Sequence, residues 1–140
     1  MEIQDVTVFR LLTVGLAAGL LFAVMDGLIN ANPVAQRLYA FYRPIVRESV
    51  NAPLGVLFDL VSGIVMAILF VTLKPAFPGG WAFRGIAFGL LAWFFRVAMG
   101  SASQAVMFRI PASALVYSLL TGLAEMVALG LFYGALLKPR

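Results

Sequence analysis

Apolar residues fall in four long continuous runs, at about residues 11–30, 53–73, 83–108 and 112–137. Each run holds roughly 20 residues or more, which as helix covers the ~30 Å hydrocarbon core of a bilayer at about 1.5 Å per residue. None shows the period-2 alternation of barrel strands, so the pattern predicts four membrane-spanning helices. The third run is weakest at its far end, where Gly100-Ser101-Ala102-Ser103-Gln104 interrupts it. One charge sits deep inside each run, Asp26, Asp59, Arg96 and Glu125, with Arg84 at the edge of the third. An ionisable group in hydrocarbon costs at least ~3 kcal/mol, so each needs a partner or a wet cavity, and the four are read together as one candidate polar cluster.

The connections predict how the runs pair. Lys74-Pro75-Ala76-Phe77-Pro78-Gly79-Gly80-Trp81 is a tight, breaker-rich turn, with Trp81 suited to the aromatic belt at the membrane surface. Arg109-Ile110-Pro111 is short, and Pro111 suits a helix start. The connection between the first two runs, about residues 31–52, is long. Within it Val34, Leu38, Phe41 and Ile45 recur at helical spacing beside Arg37, Arg43 and Arg47. That spacing suits a short interfacial helix interrupted at Pro44; an irregular loop with a few buried apolar residues fits as well.

The first and third runs resemble each other. Gly15-Leu16-Ala17-Ala18-Gly19-Leu20-Leu21 aligns with Gly85-Ile86-Ala87-Phe88-Gly89-Leu90-Leu91, and the same offset sets Asp26 opposite Arg96. The second and fourth align more loosely through Ser62-Gly63 and Thr121-Gly122. This suggests two tandem helical hairpins forming a parallel repeat about an axis along the membrane normal. Gly15, Gly19, Gly85, Gly89, Gly130 and Gly134 form G-x-x-x-G pairs, which let helix backbones approach closely, so they are expected to be helix-packing positions.

Composition fixes the class. The 140 residues are 63% hydrophobic and 11% charged, with mean hydropathy +1.02, against about 25% charged in soluble domains. The expectation is an all-α membrane protein, a single integral domain of four spans. The net charge of +4 comes from scattered arginines rather than a basic run, which excludes nucleic acid as a serious partner and leaves anionic lipid headgroups. Cysteine and histidine are absent, which removes thiol chemistry, a Ser-His-Asp triad, and imidazole or thiolate metal ligands. No cofactor or metal is expected. The acidic start, Met1-Glu2-Ile3-Gln4-Asp5, is unlike a secretory signal, so the first run is read as a retained span. Counting Arg10, Lys74, Arg84, Lys138 and Arg140 against Arg37, Arg43, Arg47 and Arg109, the positive-inside rule favours cytoplasmic termini by one charge.

Arg96 and Glu125 lie near the middles of their spans, where adjacent antiparallel helices bring them to similar depth. A fixed buried ion pair, a polar site for an ion, proton or small solute, and an arginine snorkelling away from a protonated Glu125 are all open readings. Asp26 and Asp59 lie toward the face opposite the termini. They can share a proton, bind a cation, or face Arg96 or the arginines of the first connection. Paired acids also serve acid–base catalysis, but nothing else in the chain assembles an active site, and no catalytic residue is expected.

The segments Asp26…Asn30, Phe58-Asp59-Leu60-Val61-Ser62-Gly63, Lys74-Pro75-Ala76-Phe77-Pro78-Gly79-Gly80, Gly89-Leu90-Leu91-Ala92-Trp93-Phe94 and Gly122-Leu123-Ala124-Glu125, with Leu129-Gly130 and Tyr133, together resemble a family of small bacterial membrane proteins of about this length with no assigned function. Phe70-Val71-Thr72-Leu73-Lys74-Pro75-Ala76 departs from that pattern, where relatives often end the second span in Trp-Leu-Tyr before Arg-Pro-Arg. The resemblance implies a four-helix protein of the bacterial inner membrane, and the arginine-over-lysine usage points the same way. It supplies no activity, ligand or catalytic residue. The functional expectation is a non-catalytic accessory or structural subunit packing beside other membrane subunits or copies of itself. The alternatives are a homo-oligomeric small transporter or channel using the intramembrane charges, and a membrane enzyme acting on lipid or quinone.

Overall fold

A computed structural model of the chain describes residues 2–3 and 5–139. A two-residue ladder, β1 (Glu2–Ile3) against β2 (Val6–Thr7), precedes the helices, its turn carrying Asp5 at φ 65°. Helix α1 (Val8–Ala31) starts where Thr7 accepts the amide of Arg10. Helix α2 (Pro33–Leu38) comes next, capped by Asn32 Oδ1 on the Ala35 amide at 2.9 Å. Helix α3 (Ala52–Leu73) is capped by Asn51 and runs into a short 3₁₀ turn at Lys74–Ala76. The third span is continuous over residues 81–107 but changes pitch. It comprises α4 (Trp81–Trp93), a π-helical turn (Phe94–Ala98) and α5 (Met99–Met107). Helix α6 (Ala112–Leu136) begins after Pro111.

Four helical stretches are thus long and apolar enough to cross a membrane, with bounds within a few residues of those read from the sequence. The faces agree with a lipid setting. In α1, Leu11, Val14, Ala18 and Phe22 are buried, while Leu16, Leu20, Val24 and Leu28 form an equally apolar stripe pointing outward. A helix apolar on both faces fits hydrocarbon, not water. The chain is an all-α, multi-pass membrane protein.

The spans pack as two hairpins, α1 with α3 and α4 with α6, and α1 against α6 joins them. Each hairpin crosses at glycine. A Cβ placed on Gly63 would collide with the Gly15 carbonyl and the Gly19 backbone; one placed on Gly130 would collide with the Gly85 carbonyl and the Gly89 amide. In lipid, burying apolar surface gives helices no reason to associate, so close backbone approach supplies the attraction. The two crossings are equivalent contact for contact: Gly19 faces Leu60 Cα and Asp59 O, as Gly89 faces Val127 Cα and Met126 O. The repeat therefore extends through the second and fourth spans in a different register from the one composition suggests. Gly63 corresponds to Gly130, whereas Gly122 lies against the Val97 side chain. Gly134, also expected at a packing position, meets the Trp81 carbonyl.

The hairpins do not close into a full bundle. The order is α3, α1, α6, α4. An apolar groove of about 610 Å³ lies between α3 and α4, with Val61, Val65, Leu69, Leu73, Leu91 and Phe95 among its walls. The accessible surface, 8751 Å², exceeds the roughly 7,100 Å² expected of a soluble monomer of this mass.

The first connection is partly helical. Its α2 ends at Leu38, before Pro44, and a 3₁₀ turn spans Ala40–Tyr42. The buried residue there is Ala35, while Val34 and Ile45 are exposed.

Candidate intramembrane polar site

The seam between the hairpins has two halves. On the side of the termini it is aromatic: Phe70 packs edge-on to Phe88 at 5.4 Å, and the Tyr133 ring lies 6.0 Å from Phe70. The Tyr133 hydroxyl donates to the Gly63 carbonyl at 2.7 Å, which ties α6 to α3 and gives a fully buried phenol its partner.

The other half is charged. Asp26 comes from α1, Asp59 from α3, Arg96 from the π turn and Glu125 from α6, so each hairpin contributes two of the four. Counted along their helices, they lie between about 8 and 20 Å of rise from the ends on the side of the first connection. Asp26 lies near enough to act electrostatically on both the Asp59 and the Glu125 carboxyls. Arg96 acts on Asp59 and Glu125 as a nearby charge, and its guanidinium lies over the Phe22 ring, 4.2 Å from the centroid. The sequence brought these four together as candidates, and the fold does the same. The contact between Arg96 and Glu125 is not a hydrogen-bonded pair that satisfies both groups. Glu125 is 6% exposed, and its Oε2 is buried with no hydrogen-bond partner in the protein.

The π turn bears on this placement. One wide turn inserts a residue into the helix and re-aims the side chains beyond it, and such turns recur at functional sites. Here it puts Arg96 on the edge between the seam and the α3–α4 groove, so the side chain lines both the groove and the polar cavity. The span is anchored to α6, its partner in the hairpin, by Trp93 Nε1, which donates to the Leu119 carbonyl at 2.9 Å.

A cavity of about 160 Å³ adjoins the charges, lined by Asp26, Arg96 and Glu125 and also by Asn30, Tyr39, Ser118 and Thr121. At about 30 Å³ per water, it holds a few waters. Its roof is the first connection. Tyr117 donates to the Ile29 carbonyl at 2.6 Å and accepts from Asn32 Nδ2 at 2.8 Å, which fixes the start of α2 over α6. Tyr39, edge-on to Tyr117 at 5.9 Å, reaches the cavity. Burial pushes the Tyr39 phenol above its ordinary range, with the Ser118 hydroxyl partly offsetting this, so it stays protonated and available as a donor at neutral pH.

These polar neighbours are the part the sequence reading missed. The signal was present: Ser118, Thr121 and Glu125 lie three and four residues apart, on one face of the fourth span. Among the described residues, no group of three or more His, Cys, Asp or Glu is arranged to hold a metal ion. No protein-family model, curated protein or solved structure matches the chain.

Proposed function

We propose that this protein binds and releases protons at the Asp26–Asp59–Glu125 cluster, as a small membrane transporter or channel unit. The observation that carries the reading is the orphaned Glu125 Oε2 beside a second carboxyl. Neighbouring carboxyls in a low-dielectric setting hold a proton between them, and protonation removes the charge that the buried Oε2 carries without a donor. Arg96 supports the remaining negative charge, and the cavity with Tyr39, Ser118 and Thr121 provides polar groups for a short relay from the side of the first connection. The aromatic half of the seam, with Phe22, Phe70, Phe88 and Tyr133 buried, leaves the cluster dry on the side of the termini. One-sided access is what an alternating carrier needs in one of its states. The reading places the protein in a bacterial inner membrane with cytoplasmic termini, supported by the one-charge bias of its loops.

The test is proton uptake into liposomes under an imposed potassium diffusion potential. The expected result is uptake by the native chain and its loss in Glu125→Gln and Asp26→Asn, with helix content and thermal unfolding preserved. If both variants instead fail to accumulate, the cluster is a packing device and the reading fails.

A second reading, a non-catalytic accessory subunit, is favoured by α5. None of the residues Met99–Met107 is buried, and Ser103 is exposed within the third span, while Gln104 accepts from the Tyr42 hydroxyl at 3.1 Å. Polar helix faces of this kind pair with other helices in lipid. Purification in mild detergent with a second protein at fixed stoichiometry supports this reading over the first.

A further inference from the structure

The end of the molecule that bears the termini has its own pocket, of about 170 Å³, where α3 and α6 end and α4 begins. Lys74, Arg84 and Lys138 line it together with Trp81, and no carboxylate does. Lys74 is 6% exposed, an ammonium held inside the protein, and donates to the Leu137 carbonyl at 3.3 Å. Asp5 lies near enough to act on the Lys74 charge but does not line the pocket. The Nε–H of Arg84 goes to the Phe77 carbonyl at 3.0 Å, which sets the guanidinium plane, and its two Nη groups carry four more N–H donors. The Lys138 ammonium sits 5.8 Å from the Trp81 ring centroid.

On α4 the basic pocket and the apolar groove share a stripe, with Arg84 in line with Phe88 and Phe95. The groove reaches Leu73, the neighbour of Lys74, and Phe88, one turn from Arg84. From Leu73 it extends along α3 to Val61, about 18 Å of helix. One leaflet is about 15 Å deep. A pocket lined by basic side chains and Trp81, with an apolar groove one leaflet long adjoining it along α4, matches the charge and length of an anionic lipid.

We propose that the α3–α4 seam binds one anionic phospholipid from the leaflet on the side of the termini, its phosphate among Lys74, Arg84 and Lys138 and one acyl chain in the groove toward Arg96. The lipid covers the face that the helices leave open, and it does so independently of any proton chemistry at the opposite half of the seam.

The test is native mass spectrometry of the full chain in mild detergent, titrated with phosphatidylglycerol or phosphatidylcholine of identical chains. One phosphatidylglycerol should be retained per chain, at least tenfold more tightly than phosphatidylcholine. Arg84→Gln with Lys138→Gln should bring the two lipids within about twofold. Lys138→Gln alone, at an exposed position outside the packed helices, should lower the preference about threefold. Val65→Trp, which fills the groove, should weaken long-chain phosphatidylglycerol but leave the head preference of a short-chain form intact. Equal retention of the two lipids overturns the proposal, as does a preference unchanged in the lysine and arginine variants. Displacement of the lipid by inorganic phosphate alone, or a lipid-free dimer that buries the groove, overturns it too.

Discussion

Contacts inside each hairpin and contacts between the hairpins use different chemistry. Inside, α1 meets α3 and α4 meets α6 backbone to backbone, through Gly15, Gly19 and Gly63 in one case and Gly85, Gly89 and Gly130 in the other. The two crossings share their central contacts, Gly63 on Gly15 and Gly19 in one and Gly130 on Gly85 and Gly89 in the other. Between the hairpins nothing repeats: Phe70, Phe88 and Tyr133 fill one half of the seam, and Asp26, Asp59, Arg96 and Glu125 fill the other. The difference separates structural work from chemical work. Glycine crossings hold each hairpin by close backbone packing, and the seam between hairpins holds side chains that hydrocarbon disfavours.

The sharpest way to break the comparison is at a crossing. Gly130→Leu drives a side chain into the Gly85 carbonyl, where no rotamer escapes because the obstacle is backbone. Overpacking of flexible cores costs about 1–3 kcal/mol and more where the backbone must part, so this variant should fail to accumulate in membranes, and Gly63→Leu should behave alike. Gly27→Leu and Gly100→Leu, where an added Cβ meets nothing within 4 Å, should accumulate normally by immunoblot. Equal behaviour of all four would remove the distinction. Next in size is Tyr133→Phe, which deletes the bond to the Gly63 carbonyl. It should cost about 1 kcal/mol, read as a lower midpoint of unfolding in a denaturing detergent titration, without loss of proton uptake. The smallest expected effect on stability is that of Glu125→Gln. The amide brings the donor that the buried Glu125 Oε2 site lacks, so the unfolding midpoint should hold or rise while uptake disappears. A fall of the midpoint matching that of a crossing variant would make Glu125 a packing residue.

Much of this was legible in the sequence, for a physical reason. Hydrocarbon demands long unbroken helices and punishes isolated charges, so four runs, each with one charge deep inside it, state both the spans and the cluster. Gly15/Gly19 and Gly85/Gly89 were legible because one-turn spacing of glycines has few other uses in a span. Gly63 was not singled out as a packing residue, because a lone glycine in an apolar run carries no period; only the partner helix shows its role. The pairing of Ser62-Gly63 with Thr121-Gly122 failed for the same reason: small residues are alike in composition, and backbone approach alone tells Gly130 from Gly122. The π turn at Phe94–Ala98 left no pattern either, since aromatic Phe94 and Phe95 suit an α-helix as well. The roof over the cavity depends on contacts 85 and 88 residues apart, from Tyr117 to Asn32 and to Ile29, beyond any local period.

The central claim is that Glu125 and Asp26 exchange a proton with the cavity. Infrared difference spectroscopy of the native chain in liposomes, stepped between acid and alkaline pH, reads the carboxyl C=O stretch of groups that gain or lose a proton. The account predicts a titrating band that is absent in Glu125→Gln and shifted in Asp26→Asn. Spectra in which both variants match the native chain would contradict it, since the cluster would then hold a fixed protonation state and move no proton.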